Sequence, residues 1–161
     1  MQPSATSWTS EMRPRFSDVW QRHRPIVVGH RGASAHAPEN TLAAFRLARD
    51  VGADAVELDV HLSADGVPIV IHNASVDATT NGTGRISSMT LREVKSLDAG
   101  THFSTAFAGE RIPTLAEVLE AVGEDLLINI ELKPQTQSGS ALEEAVADVV
   151  RGLGMQRRVW F

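Results

Sequence analysis

The chain has 161 residues, 42% of them hydrophobic and 22% charged, with a formal net charge of −5: enough for one domain with a real core, in the composition range of soluble globular proteins. It contains no cysteine, which excludes disulfides and thiolate metal sites, fits a reducing compartment and makes the cytoplasm the expected location. No clustered basic face marks a nucleic-acid surface, and no apolar run approaches the roughly 20 residues that span a bilayer. An anionic substrate must therefore be attracted locally, against the overall charge.

Residues 1–24 lack the continuous apolar stretch of a signal peptide and read as a loosely ordered lead-in, with a short helix around Phe16 to His23. The domain proper is expected over 25–161. Ile26 to Gly29 is a short apolar strand that opens into His30-Arg31-Gly32 and Pro38-Glu39-Asn40-Thr41. A helix from about Asn40 to Val51 follows, with Gly52 as its stop. Ala55 to Leu62 is a second strand, and Asp65-Gly66 turns the chain into Val67 to Ile71, a hairpin that ends at His72. Residues 73–112 are loop-rich, with a short helix from Thr90 to Leu97. An insertion of that length in a compact domain is usually functional. Thr114 to Val122 is a helix opened by a capping box with Glu117. Leu126 to Leu132 is a third barrel strand, Ser140 to Leu153 a long helix, and Arg157 to Phe161 the start of a further strand. Alternating strands and helices argue for an α/β fold with a parallel sheet, and strands this apolar suit a sheet buried on both faces.

Three of these strands end in charge. Residues i and i+2 of a strand share a face, so Glu57 and Asp59 point together, as do Glu131 and Lys133. Three carboxylates without sulfur or nitrogen partners form a hard oxygen site, for which Mg2+ or Ca2+ is the natural ion. Set against Arg31 and Lys133, the carboxylates leave the empty site with one negative charge, which repels an anion; a divalent ion reverses that sign. His30 and His72 add groups that titrate near neutrality and could serve as acid and base.

Together these motifs resemble the glycerophosphodiester phosphodiesterase family. The resemblance rests on Gly29-His30-Arg31-Gly32, Pro38-Glu39-Asn40-Thr41, Glu57-Leu58-Asp59-Val60, His72, Thr79-Thr80-Asn81-Gly82-Thr83-Gly84, Ile112-Pro113-Thr114-Leu115 and Glu131-Leu132-Lys133, in that order. It implies a TIM barrel whose site lies at the C-terminal ends of the strands, with the segment after His72 as an extra subdomain. It implies that Glu57, Asp59 and Glu131 bind the metal, that His30 and His72 are the acid-base pair, and that Arg31 and Lys133 contact the phosphate. The implied reaction hydrolyses glycerophosphodiesters to glycerol 3-phosphate and an alcohol, with a glycerol hydroxyl as internal nucleophile.

The chain departs from the family pattern at two positions. Asn73 stands where the family usually has Asp, and Ala78 where it usually has Arg. A whole barrel takes about 250 residues and eight strands, so this one is expected to stop near its fourth. Half a barrel exposes sheet edges and interior faces, which invites self-association; the chain is then a fragment of a longer protein or completes itself with a second copy. Two further readings stand beside the enzyme: a non-catalytic metal- or phosphate-binding protein that keeps the site without the barrel, and a related lipid phosphodiesterase. His61, two residues beyond Asp59, is an alternative metal ligand. Glu39 and Asn40 are read as bracing the loop and capping the helix.

Overall fold

A computed structural model describes residues 25–133 and 140–161; the lead-in expected over 1–24 and its short helix lie outside them. Five strands, β1 (Val28–His30), β2 (Ala55–Leu62), β3 (Pro68–Val70), β4 (Leu127–Leu132) and β5 (Val159–Trp160), form one sheet. The order is β1-β2-β4-β5, all parallel, with β3 antiparallel on β2 as the second arm of the Asp65-Gly66 hairpin. Among the described residues, four α-helices connect them: α1 (Leu42–Asp50), α2 (Leu91–Ser96), α3 (Leu115–Val122) and α4 (Ala141–Gly152). The expected α/β architecture is present, with β1 shifted to 28–30 because pairing with β2 begins at Val28 and Ala55.

The register decides which side chains meet. His30 lies beside Glu57, and Asp59 beside Glu131. Residues level across a ladder point to the same side of the sheet, and side chains alternate along each strand. Val56, Leu58 and Val60 of β2 therefore share the outer face with Ile128 and Ile130 of β4. That face packs on Phe45 and Ala48 of α1, Leu115, Val118, Leu119 and Val122 of α3, and Leu142, Val146 and Val150 of α4, which together form the main core. The inner face carries Ala55, Glu57, Asp59 and His61 on β2. At its lower end Ala55 and Leu127 pack with Ile26 and Trp160.

β2 is buried on both faces, as expected, with Glu57 and Asp59 together on one of them. One face is a hydrocarbon core; the other changes from apolar to ionic on passing from Ala55 to Asp59. β1 is the end strand of the sheet order, and Val27 and Val28 are 56% and 42% exposed because a neighbour covers β1 on one side only.

Residues 73–112 fold over β3 with an apolar cluster of their own, made by Val76, Ile86, Val94, Ala99 and Ile112 against Ile69 and Ile71. Thr90 caps α2 in a capping box with Glu93, as the spacing predicts. The polar stretch from Thr101 is organised by Asp98, whose carboxylate accepts from the N–H groups of Gly100 (2.9 Å), Thr101 (2.8 Å) and Gly109 (2.6 Å). Those backbone donors, Thr101 and Gly109 foremost, hold the Asp98 carboxyl well below the usual carboxylate range. Lys95 ties the insertion to α3 through Glu117 Oε2 (2.7 Å) and also holds the Ile112 carbonyl at the insertion's own end (3.0 Å). Glu110 Oε1 ties it to α1 by accepting from Ala43 N (3.2 Å). Among the described residues, no helix is long and apolar enough to cross a membrane.

Candidate active site

The loop between β1 and α1 is built on unusual backbone. Arg31 and Asn40 have φ of 57° and 55°, and among the described residues they alone combine positive φ with a side chain. Gly32, at φ 82°, lies so close to α1 that a Cβ there would stand 2.7 Å from the Ala44 carbonyl carbon. Glycine is thus required, both by the dihedral and by the close approach of helix to loop. The turn aims Arg31 N–H at Glu57 Oε2 (3.0 Å). It lays the Arg31 guanidinium between two carboxylates, with Nη1 3.2 Å from both oxygens of Glu39 and Nε 3.5 Å from Asp59 Oδ2. Asn40 is buried and donates Nδ2–H to Asp59 Oδ2 (2.8 Å), while Asp59 N–H donates to Asn40 Oδ1 (3.4 Å).

From β2 and β4, single carboxylate oxygens of Glu57, Asp59 and Glu131 come within 4.8 Å of one another. Lys133 continues the β4 ladder through its N–H to the Val60 carbonyl (3.0 Å). Its ammonium stands 2.9 Å from Asp59 Oδ1 and donates to Glu131 Oε1. Burial raises the Glu57 carboxyl above its ordinary pKa, reinforced by the negative charge of Asp59. Asp59 is more deeply buried, which also pushes upward, yet its bonds to Lys133 and Asn40 carry it below the ordinary value. Burial lowers the Lys133 ammonium, but its bonds to Glu131 and Asp59 outweigh that and raise it.

Glu57 Oε1 is buried and has no hydrogen-bond partner. A buried carboxylate oxygen without a donor is costly, and here it sits in a cluster of three hard oxygen donors. The residues therefore fit a divalent cation such as Mg2+ or Ca2+, bound by oxygen alone. Glu131 supplies the open side, with its side chain 54% exposed.

Both histidines come from the side of β2 opposite β4. His30 Nε2 is 3.8 Å from Glu57 Oε2, with its side chain 68% exposed. His72 lies beyond the end of β3, near enough to Asp59 for their charges to interact. Its Nδ1 is 3.0 Å from Asn73 Oδ1, so Asn73 still offers the acceptor that an Asp would, without the charge. His61 turns its Nε2 to the carbonyl oxygen of His72 (3.0 Å), and burial pushes its pKa down.

All seven residues singled out from the sequence, His30, Arg31, Glu57, Asp59, His72, Glu131 and Lys133, thus surround one cluster. Two neighbours belong with them that motif reading placed elsewhere. Thr41, not Asn40, caps α1 by accepting from Ala44 N (3.3 Å). Asn40 is held off the helix by its left-handed backbone and serves Asp59 instead; its type, since Asn tolerates positive φ, was the available signal. Glu39 adds a fourth carboxylate, so the empty site carries two negative charges rather than one.

Residues 30–157 match the Glycerophosphoryl diester phosphodiesterase family. The chain belongs to this family. It is 47% identical over 137 residues to a glycerophosphodiester phosphodiesterase of Caldanaerobacter subterraneus subsp. tengcongensis, covering 84% of this chain and 56% of that protein. It is 43% identical over 115 residues to human glycerophosphodiester phosphodiesterase 1, covering 70% of this chain and 35% of the human one. The fold superposes on a glycerophosphodiester phosphodiesterase of Agrobacterium tumefaciens with a TM-score of 0.76 at 45% identity, over 84% of this chain and 56% of that one. On an Oleispira antarctica phosphodiesterase solved in complex with the product sn-glycerol-3-phosphate the TM-score is 0.77 at 40% identity, over 83% and 53% of the two chains. The chain thus spans about half the length of these solved family members, and its parallel sheet with flanking helices is part of a TIM barrel. Family membership agrees with the resemblance carried by the motifs from Gly29 to Lys133.

Proposed function

We propose that this chain carries the metal and acid-base centre of a phosphodiesterase that hydrolyses glycerophosphodiesters to glycerol 3-phosphate and an alcohol. The observation that supports the reading most is the convergence of Glu57, Asp59 and Glu131, with the partnerless Glu57 Oε1 among them, beside His30 and within charge range of His72. In this reading those three carboxylates hold a Mg2+ or Ca2+ ion, which when bound neutralises phosphate charge and polarises a phosphoryl oxygen. The chain's own residues supply the rest. Without a cation, four carboxylates against Arg31 and Lys133 repel a singly charged phosphodiester; with one, the site is neutral and its two cations can act on the anion. Arg31 is anchored by Glu39 through Nη1, which fixes the orientation of the guanidinium whose Nη2 can donate to a phosphate oxygen. His30 and His72 divide the proton transfers: one takes the proton of the attacking glycerol hydroxyl and the other returns a proton to the leaving alkoxide, and with the roles exchanged water then opens the cyclic phosphate to glycerol 3-phosphate. In the tautomer that donates Nδ1–H to Asn73, His72 keeps a free lone pair on Nε2, the form a base requires.

The test is release of glycerol 3-phosphate from a glycerophosphodiester, with and without chelator. EDTA should abolish it, and His30→Ala and His72→Ala should each lower the rate by about 10²–10⁴, the size of an acid-base contribution. Near-normal turnover in either variant would overturn the assigned role. Because the chain spans about half of its solved relatives, a second reading is a metal-binding unit without turnover. Calorimetric binding of Ca2+ or Mg2+ by a folded sample that releases no product would favour it.

A further inference from the structure

We propose that His61 is a positioning residue for His72: its buried imidazole fixes the backbone of residue 72 and so aims the catalytic ring. The inference rests on the acid-base role given to His72 above. β3 ends at Val70, so the sheet ladder releases the chain two residues before His72. The last backbone bond of the hairpin on this side is from Ile71 N–H to the Asp59 carbonyl (3.0 Å). Beyond it the hold passes to a side chain, His61 Nε2 to the His72 carbonyl (3.0 Å).

His61 is suited to the task by place and by chemistry. It follows Glu57 and Asp59 on the inner face of β2, level with Ile69 of β3, and is 4% exposed. A carbonyl oxygen can only accept, so Nε2 must carry the proton. That tautomer leaves only Nδ1 with a lone pair for a metal, and the cation-binding group among the described residues comprises Glu57, Asp59 and Glu131 without His61. His61 thus acts through His72 rather than on the ion, which sets aside its reading as an alternative ligand. The two ends of the link differ in freedom: the His61 backbone is paired in the middle of the hairpin, whereas His72 opens the loop. A donor on the paired side can therefore set the direction of the residue beyond the ladder, and misplacement of a reacting group by about 1 Å can cost on the order of 100-fold.

The experiment uses the full chain with His61→Leu, which fills the space without a donor, and His61→Gln, whose amide N–H can reach the same carbonyl. Leu should lower kcat by about 10- to 100-fold with KM within about twofold, and Gln should recover most of the loss. NMR supplies a readout that does not depend on turnover. In the wild-type chain His61 should be the Nε2–H tautomer, unchanged by Mg2+ or Ca2+. The carbonyl 13C shift of His72 should move in the Leu variant and return in the Gln variant. Wild-type kcat in the Leu variant, an Nδ1–H tautomer, or a His72 carbonyl indifferent to both substitutions would overturn the proposal. If the wild type releases no product, the phosphodiesterase reading fails by itself and the carbonyl shift decides whether His61 positions residue 72. If the Leu variant does not fold, the wild-type tautomer decides.

Discussion

Replacing Glu57 by Gln should make the metal-free protein more stable while removing its response to divalent cations. Glu57 sits in a buried cluster where its carboxylate oxygen lies within 4.8 Å of those of Asp59 and Glu131. At an effective dielectric of about 20, two unit charges 4.8 Å apart repel by about 3.5 kcal/mol. The Glu57→Gln substitution would remove that repulsion and the burden of the partnerless Oε1, yet the amide carbonyl it introduces can keep the bond from Arg31 N–H. Part of the gain is returned because the positive charges nearby lose a partner. A net stabilisation of about 1–2 kcal/mol in EDTA at pH 7 is expected. The sign with pH follows from the raised carboxyl of Glu57. Below the ordinary value of 4.5 the group is protonated in both folded and unfolded chains and costs nothing. As pH rises from there through the higher folded value, ionisation in the folded state becomes unfavourable and stability falls. The advantage of the Gln variant should therefore vanish below pH 4.5 and grow above it. Urea unfolding in EDTA and in excess Ca2+ or Mg2+ is the assay. Ligand at about 100 times its Kd adds about 2.7 kcal/mol, so the wild type should overtake the variant once the ion is present. A variant less stable than wild type in EDTA, or equal metal stabilisation of both, would refute the reasoning.

Other substitutions separate the supports of the site. Asn40→Gly removes a bond to a charged partner and should cost about 2 kcal/mol, whereas Asn40→Ala adds the strain of left-handed backbone, about 1 kcal/mol more; urea unfolding measures the difference, and calorimetry should show metal affinity reduced about 10- to 100-fold in both, as for other orienting partners of ligands. Gly32→Ala should destabilise by about 3 kcal/mol or more, since its Cβ meets the backbone of Ala44 at 2.7 Å, and thermal unfolding reports it. Asp98, with its pKa lowered by backbone donors, contributes stability that is fully present above the unfolded value of 3.8 and is lost as pH falls toward its lower folded value; Asp98→Asn should therefore flatten the acid limb of the stability curve.

Much of the site was legible because strands alternate. Glu57-Leu58-Asp59 announces two carboxylates on one face and an apolar residue on the other, whatever the rest of the fold does. Helix caps were legible for a similar reason: Thr90 with Glu93 and Thr114 with Glu117 are local patterns that close on themselves, and both capping boxes form. The role of Asn40 was not legible, because its partner Asp59 is 19 residues away and its own neighbours offered a nearer task, a helix cap. Glu39 was obscured likewise, since a fork on Arg31 depends on the turn that brings residues 31 and 39 together. His61 was visible as a histidine near a carboxylate, but its true partner, the His72 carbonyl, carries no sequence signal at all.

The division of β2 into two faces also bears on how such a chain can change over time. Val56, Leu58 and Val60 feed the hydrocarbon core, whereas Glu57 and Asp59 feed the ionic cluster and His61 the carbonyl of His72. Point substitutions can adjust either set while leaving the other untouched. A one-residue insertion or deletion between Val56 and His61 cannot, for it would trade the two sets, burying carboxylates under α1 and α3 and turning valine and leucine toward the ionic cluster. Added or lost residues are therefore expected to be tolerated only in the flanking turns, at Gly52 and at Asp65-Gly66, where the chain can lengthen without changing which way Glu57 points.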